Sequence, residues 1–177
     1  MNQERLFPYL TPPGYPSVPG LTKELGHDIQ VNYVEDLNNI VKGILSKDVS
    51  GAMTATVIRE SAQRNLDRAV VAGEVELRVY EGPGDQPLIV SSGSWLSAST
   101  LVWSGLFDAA SEHLKTDQIL ASIPHRDALL LFPFGPFSYR EVMRAFVKEN
   151  EGDGRKPLTW ELFRITLAGV SSFKEND

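Results

Sequence analysis

The chain contains no cysteine and relatively few basic residues, and each shortage excludes a class of function. Without cysteine there can be no disulfide, no thiolate nucleophile and no zinc site with sulfur ligands. The 17 lysine and arginine residues are outnumbered by 23 aspartate and glutamate residues, which gives a formal net charge of -6. Because sequence-independent nucleic-acid binding relies on several Lys and Arg contacts to phosphate, we expect no nucleic-acid partner.

Long apolar runs are also missing. The longest stretches of hydrophobic residues fall well short of the roughly 20 residues that a membrane-spanning helix needs. The first residues, MNQER, lack the basic start and apolar stretch of a secretory signal peptide. We therefore expect no membrane partner and a cytoplasmic location.

What remains is the composition of an ordinary globular protein. Of the 177 residues, 42% are hydrophobic and 23% are charged. At this length roughly 70% of the unfolded surface can be buried. Alternating strands, a hairpin and separated amphipathic helices predict the α+β class: a mostly antiparallel, mixed sheet with about three helices packed on it. We expect a Pro-rich N-terminal arm over residues 1–26 and a single α+β domain over residues 27–177.

The arm is predicted from its prolines. Between residues 10 and 20 these are Pro12, Pro13, Pro16 and Pro19. Proline disfavours both helix and internal strand, so the segment is expected to be irregular. The spacing of the last three is also typical of a polyproline II ligand, but we favour an arm held against the domain by Phe7, Tyr9 and Tyr15.

Hydrophobic periodicity predicts the remaining elements. Helices are expected at residues 54–71, at residues 105–114 after a Ser104 cap, and from Ser138, which forms a capping box with Glu141. Strands are expected at residues 28–34, in a hairpin over residues 74–90 and at residues 162–173. Residues 36–47 fit a helical face and a strand equally well.

The prediction centres on residues 119–133, where two apolar runs enclose His125, Arg126 and Asp127. The continuous apolar run from Leu129 to Phe132 is typical of a strand buried on both faces. His125 and Asp127 are two positions apart, so on a strand they would share a face and could hydrogen-bond. The polar residues form either a structural junction or the floor of a site. We favour the junction, because structural networks also gather polar residues.

Several catalytic and metal-binding patterns are absent around this segment. A kinase catalytic loop would carry an asparagine where Phe132 stands. No glycine-rich phosphate loop and no Gly-x-Ser-x-Gly nucleophile elbow occurs. The three histidines are dispersed, and the pair Glu35-Asp36 is more typical of a cap than of a cation site. We therefore predict no catalytic set, no metal and no cofactor.

The segment Phe132–Phe137 alternates phenylalanine with proline or glycine at a predicted surface turn. If Phe134 and Phe137 are exposed there, they would form a protein-binding patch. If they pack inward, they close the core beside the buried strand. We favour packing, because aromatic side chains next to a buried strand usually remain with it.

Five short segments occur in the order in which a known family has them. They are VNYVED at residues 31–36, SAQRNL at 61–66, ASTLVW at 98–103, IPHRDAL at 123–129 and PLTWELF at 157–163. Together they resemble the uncharacterised bacterial YtpQ-like proteins over about residues 27–165. The chain is shorter than those proteins, and its Pro-rich arm stands in place of their N-terminal portion.

This resemblance implies architecture more than function, because the family has no established activity. It implies a strand at residues 40–45 that runs into a turn, and a strand at residues 98–103. The positions that match the shared pattern are Glu35, Asp36, Asn65, Ser99, Arg126 and Asp127. From these matches we expect Arg126 and Asp127 to form a polar cluster near Asn65.

Two functions are compatible with these observations. The first is a non-enzymatic binding or regulatory domain with a protein partner, acting through a sheet face or the aromatic turn. Its candidate binding residues are His125, Arg126, Asp127, Asn65, Phe134 and Phe137. The alternative is a small hydrolase-like enzyme in which His125 and Asp127 activate a water molecule at the mouth of the central strand.

Overall fold

The computed structural model describes residues 1–38 and 40–175, which form three α-helices and two antiparallel sheets. This confirms the α+β class and the expected number of helices. The strands are divided between two sheets, whereas one sheet was expected. The chain divides into two compact units, residues 1–74 and 75–177, and each unit has its own sheet.

The N-terminal unit packs a helix on an antiparallel sheet. Its elements are β1 (Leu6–Thr11), β2 (Lys23–Gly26), β3 (Ile29–Asp36), β4 (Val41–Gly43) and α1 (Ala55–Val71). β3 is central, because β1 pairs along it on one side while β2 and β4 pair with its two ends. Ile58 and Ala62 of α1 pack with Leu6 of β1 in the core of this unit.

The expected irregular arm over residues 1–26 is wrong at two places, since β1 and β2 both lie within it and pair with β3. Pro8 is accommodated because β1 is at the edge of its sheet, where one missing backbone N–H is tolerated. Residues 12–22, which hold the proline cluster, do form an irregular loop. The prolines therefore predict the loop correctly, but they do not predict the two strands that flank it.

Residues 36–47 were ambiguous, and the strand interpretation is confirmed there by β4. β4 is followed by a 3-10 helix at Ser46–Asp48, which agrees with the expected turn. Asn39 lies outside the described residues. The helix expected at residues 54–71 is confirmed by α1, and the Thr54 hydroxyl accepts a hydrogen bond from the Val57 N–H at 3.3 Å, as a helix cap does.

Asn65 fastens the first residues of the chain to α1. Its Nδ2 donates hydrogen bonds to the carbonyl oxygens of Gln3, at 2.7 Å, and Leu6, at 2.8 Å. Asn65 is only 4% exposed, so these bonds satisfy polar groups that water reaches poorly. The side chain thus holds the start of β1 against the helix.

The C-terminal unit is built on an antiparallel sheet with the strand order β5-β6-β8-β7-β9-β10. Its elements are β5 (Arg78–Glu81), β6 (Pro87–Ser92), α2 (Leu106–Leu114), β7 (Ile119–Ser122), β8 (Ala128–Pro133), α3 (Phe137–Glu151), β9 (Leu162–Thr166) and β10 (Gly169–Ser172). The hairpin expected at residues 74–90 is confirmed by β5 and β6. The single last strand expected at residues 162–173 is instead the hairpin of β9 and β10, which pair with each other.

β8 is buried on both faces, as its continuous apolar run predicts. Leu130 and Phe132 pack with Met143 and Val147 of α3. Leu129 and Leu131 point to the opposite face of the strand. On that side α2 and the 3-10 helix Ala98–Val102 contact β8. β8 is therefore the strand around which both layers of helix are packed.

Three local predictions are wrong. Ser104 does not cap α2, whose N-cap is Gly105. Residues 98–103, expected to be a strand, form the 3-10 helix Ala98–Val102, in which the Trp103 N–H donates to the Thr100 carbonyl oxygen at 2.9 Å. The capping box of Ser138 and Glu141 does not form, since α3 begins one residue earlier and has Pro136 at its N-cap. Glu141 instead accepts a hydrogen bond from Arg144.

Replacing Asn65 by alanine should lower the free energy of unfolding of the N-terminal unit by about 1–2 kcal/mol, because the buried Leu6 carbonyl oxygen and the part-buried Gln3 carbonyl oxygen lose their donor. The measurement is urea unfolding followed by far-ultraviolet circular dichroism. Glu60→Ala, at an exposed position of the same helix, is the control and should change the value by less than about 0.5 kcal/mol. Equal effects of the two substitutions would contradict the assigned role of Asn65.

Candidate functional site

The polar residues singled out in the sequence lie in the connection between β7 and β8, and its backbone is bonded on two sides. The Arg126 N–H donates to the Lys156 carbonyl oxygen at 3.3 Å. The Arg126 carbonyl oxygen accepts from the Ala98 N–H, and the Asp127 carbonyl oxygen from the Gly93 N–H, both at 3.1 Å. The connection therefore joins the segment after β6 to the segment before β9.

His125 is held at both of its ring nitrogens. Nε2 lies 2.9 Å from a carboxylate oxygen of Glu151, at the end of α3. Nδ1 accepts a hydrogen bond from the backbone N–H of Asp127 at 3.2 Å. Because Nδ1 accepts, the ring proton belongs on Nε2, which donates to Glu151.

This arrangement leaves His125 poorly placed for acid-base chemistry. A histidine of a catalytic triad uses one nitrogen for a carboxylate and the other for the nucleophile or water. Here the second nitrogen faces a backbone amide. The expected side-chain pairing with Asp127 is wrong in detail, since His125 contacts the backbone of Asp127 and the carboxylate of Glu151. The geometry therefore favours the structural junction.

Gly154 allows the His125 ring to lie where it does. A Cβ atom at position 154 would be 1.9 Å from His125 Cδ2, far inside van der Waals contact. The φ angle of Gly154 is not in the left-handed region, so the glycine is required for space and not for backbone conformation. Together with Glu151, it closes the end of α3 over the connection between β7 and β8.

Arg126 and Asp127 differ in exposure. Arg126 is 8% exposed, whereas Asp127 is half-buried. Asn65 belongs to the N-terminal unit, where its amide group is bonded to the backbone as described above. The expected proximity of Asn65 to Arg126 and Asp127 stays a prediction.

The two aromatic residues of the predicted turn have different environments. Phe134 is half-buried, and its ring meets that of Phe173 edge to face at a centroid distance of 5.7 Å. Phe137, the first residue of α3, is 58% exposed. The packing interpretation thus applies to Phe134 and the exposed interpretation to Phe137.

Two arginines complete this region, which we call the Phe–Arg cluster: Phe134, Phe137, Arg140, Arg164 and Phe173. The Arg140 guanidinium lies 5.0 Å from the centroid of Phe134, 5.5 Å from that of Phe173 and 5.8 Å from that of Phe137. The Arg164 guanidinium lies 5.1 and 6.0 Å from the first two of these rings. At these distances each guanidinium is attracted to the aromatic rings, so two cations share one aromatic pair.

Neither arginine was predicted to be a site residue, although one of them left a signal in the sequence. The buried residues of α3 are Arg140, Met143 and Val147, whose spacing is that of one helical face. Val142 of the same helix is apolar but 51% exposed. The arginine at a core-facing position of α3 was therefore the indication that a buried cation would need partners.

Glu175 provides the negative charge for the cluster. One of its carboxylate oxygens accepts hydrogen bonds from Nε and Nη2 of Arg140, at 3.1 and 2.5 Å. The other accepts from Nη1 of Arg144 at 2.6 Å, and Arg144 also donates to Glu141. The hydrogen bond from Arg140, assisted by Arg144, lowers the pKa of Glu175 below its ordinary value of 4.5.

The other features considered as sites, a metal site and a cavity, have less structural support. Among residues 1–38 and 40–175, no group of three or more His, Asp or Glu side chains could hold a metal ion. Glu35, part of the acidic pair considered for a cation, accepts a hydrogen bond from the backbone N–H of Asn2 at 2.5 Å. An open cavity of about 300 Å³ in the N-terminal unit is lined by residues of the proline loop, of β2 and β3 and of the turn between them, and half of these residues are exposed.

Within the part of the chain that the structure describes, no helix combines the length and the apolar character needed to cross a bilayer.

Gly154→Ala should destabilise the C-terminal unit by about 1–3 kcal/mol, because the new methyl group overlaps the His125 ring. The measurement is urea unfolding followed by tryptophan fluorescence, since Trp95, Trp103 and Trp160 all lie in this unit. In a His125→Ala background the same substitution should cost little, because the overlap is gone.

Asp153→Ala, at the exposed neighbouring position, controls for changes in the segment itself and should be nearly neutral. An unchanged cost of Gly154→Ala in the absence of the His125 ring would show that the ring is not what the glycine accommodates.

Glu175→Gln should lower stability at pH 7 by about 0.5–1 kcal/mol, the usual range for a partly exposed ion pair. Because the folded-state pKa of Glu175 is below the unfolded value of 4.5, its contribution is complete above that pH and is lost as the pH falls through the folded pKa. Denaturant unfolding between pH 7 and pH 2.5 should show the variant and the original chain converging in acid. A stability difference between the two chains that grows as the pH falls would contradict the assigned ion pair of Glu175.

No family model, curated protein or solved structure matches the chain. The resemblance to the YtpQ-like proteins accordingly stays a prediction that rests on the five ordered segments.

Proposed function

We propose that the chain is a non-enzymatic, protein-binding domain. Its contact surface is the Phe–Arg cluster, with the exposed ring of Phe137 at the centre. The observation that carries the proposal is the 58% exposure of Phe137 beside the guanidinium of Arg140, 5.8 Å away. Aromatic residues and arginine are enriched in protein interfaces and among the residues that supply most of the binding energy. The pair therefore has the composition of an interface anchor.

The surroundings of Phe137 favour binding because they are ordered before a partner arrives. Phe137 begins a helix whose buried face is fixed by Met143 and Val147. Arg140 is held by the rings of the cluster and donates to the Gly135 carbonyl oxygen at 2.5 Å. A preformed surface loses little conformational entropy on binding, so more of its contact energy contributes to affinity.

The alternative function, a hydrolase that uses His125 and Asp127, has less support. Both ring nitrogens of His125 already have partners, and the one not facing Glu151 accepts from a backbone amide. A general base must have a nitrogen within hydrogen-bond reach of the proton that it removes. For this chemistry the ring would have to break its bond to the Asp127 amide first.

The location and family of the chain belong to the same proposal. A cytoplasmic protein partner is consistent with the absence of cysteine, because the chain has no disulfide and disulfides are rare in reducing compartments. The order of the five short segments supports membership of the YtpQ-like proteins. The net charge of -6 is compatible with a partner whose complementary surface is basic outside the contact itself.

A photo-crosslinking amino acid placed at position 137 should form a covalent adduct with one defined protein in cells that produce the full chain. The same amino acid at position 167 is the matched control, since Leu167 is 83% exposed in the same unit. The readout is mass spectrometry of the purified adduct. Adducts at both positions with the same proteins, or at neither, would overturn the proposed contact surface.

Two alanine variants separate binding from packing. Phe137→Ala should change the free energy of unfolding by less than about 0.5 kcal/mol while weakening capture of the crosslinked protein. Phe134→Ala should lower the free energy of unfolding by about 2 kcal/mol or more, because its ring packs against Phe173.

A further inference from the structure

The carboxylate of Glu175 shows what kind of group the cluster holds. Arg140 offers Nε and Nη2 to one carboxylate oxygen, while Arg144 offers Nη1 to the other. Charge-assisted bonds of this kind are short and directional, and a guanidinium edge matches a carboxylate better than an ammonium group does. The pair Arg140 and Arg144 is therefore a built carboxylate site on the same helix as Phe137.

The site is preorganised by its buried member. Arg140 is 8% exposed, and its third bonding nitrogen is fixed by the Gly135 carbonyl oxygen. The rings of Phe134 and Phe173 lie against its guanidinium, and Arg164 adds a second positive charge beside them. Charge at this place is positive although the chain as a whole is acidic, so a negatively charged group is attracted here.

The segment that carries Glu175 is fixed at Phe173, whereas the Glu175 side chain stays partly accessible to solvent. Phe173 is 3% exposed, and its N–H donates to the Leu162 carbonyl oxygen at 2.9 Å. Glu175 lies two residues further on and keeps 30% of its side chain exposed. A carboxylate that is partly exposed can be reached from solvent, so another carboxylate can take its place on the two arginines.

We propose that Arg140 and Arg144 form the docking site for an acidic segment of the protein partner, and that Glu175 occupies this site as an internal competitor in the free protein. The inference rests on the proposed function of the Phe137 surface and names the partner's chemistry. The partner supplies an aspartate or glutamate carboxylate to the two arginines and a neighbouring apolar side chain to Phe137. When it binds, Glu175 leaves and Arg140 keeps a charged partner, so no buried cation is left uncompensated.

The test measures the affinity of the full chain for a defined peptide by fluorescence anisotropy. The probe is a fluorescein-labelled peptide with a central phenylalanine flanked by glutamates, compared with a matched peptide in which glutamine replaces each glutamate. If Glu175 fills the site about four-fifths of the time, its removal strengthens binding about fivefold. Glu175→Gln should therefore bind the glutamate peptide about fivefold more tightly than the original chain, with no gain for the glutamine peptide.

Two further variants show whether the gain arises at the arginines. Arg144→Gln in the Glu175→Gln background should remove most of the gain, and Arg140 is left unchanged because it is buried. Glu149→Gln alters the net charge equally, but it is exposed and lies nine residues from Arg140, on the opposite face of α3. It should leave the affinity for the glutamate peptide unchanged.

Three results would overturn the inference. They are an unchanged affinity in Glu175→Gln, an equal gain for the glutamine peptide or for Glu149→Gln, and a loss of the native circular dichroism spectrum in Glu175→Gln, which would make Glu175 a structural residue. The crosslink at position 137 does not depend on Glu175. A fivefold gain without that crosslink would support the carboxylate site and refute the Phe137 contact surface, and a crosslink without the gain would do the reverse.

Discussion

The C-terminal unit depends on the burial of β8 on both of its faces. Leu130 and Phe132 meet α3, while the alternate residues face α2 and the 3-10 helix. A strand enclosed in this way has its two ends fixed in space, because neither end can move without opening the core. The junction at His125 precedes β8 and the Phe–Arg cluster begins directly after it with Phe134, so one strand positions both candidate sites.

The two ends of β8 use their polar residues differently. At the beginning, His125 is enclosed by Glu151, Gly154 and a backbone amide, and its polar atoms serve to close the fold. At the end, Arg140 is also buried, but the aromatic residue beside it is open to solvent. Burial of a titratable residue is therefore common to both ends of the strand. What differs between them is the exposure of the aromatic ring beside it.

Local patterns predicted well where one face of an element meets one core. The 3.6-residue repeat located α1, and the continuous apolar run identified β8 as a strand buried on both faces. Predictions failed where hydrogen bonds between distant segments decided the outcome. β1 was hidden because its proline suggested an irregular arm, although an edge strand tolerates it. Residues 98–103 have the composition of a strand but form a 3-10 helix that packs against β8.

The sequence by itself determined the α+β class, the buried strand β8 and the presence of polar and aromatic residues at its two ends, because burial leaves a periodic signal along the chain. Only the tertiary structure decided the partners of those residues. Glu151 is 26 positions from His125, and Glu175 is 35 positions from Arg140. The physical reason is that periodicity reports which side chains are buried, whereas strand pairing determines which distant charges and rings meet.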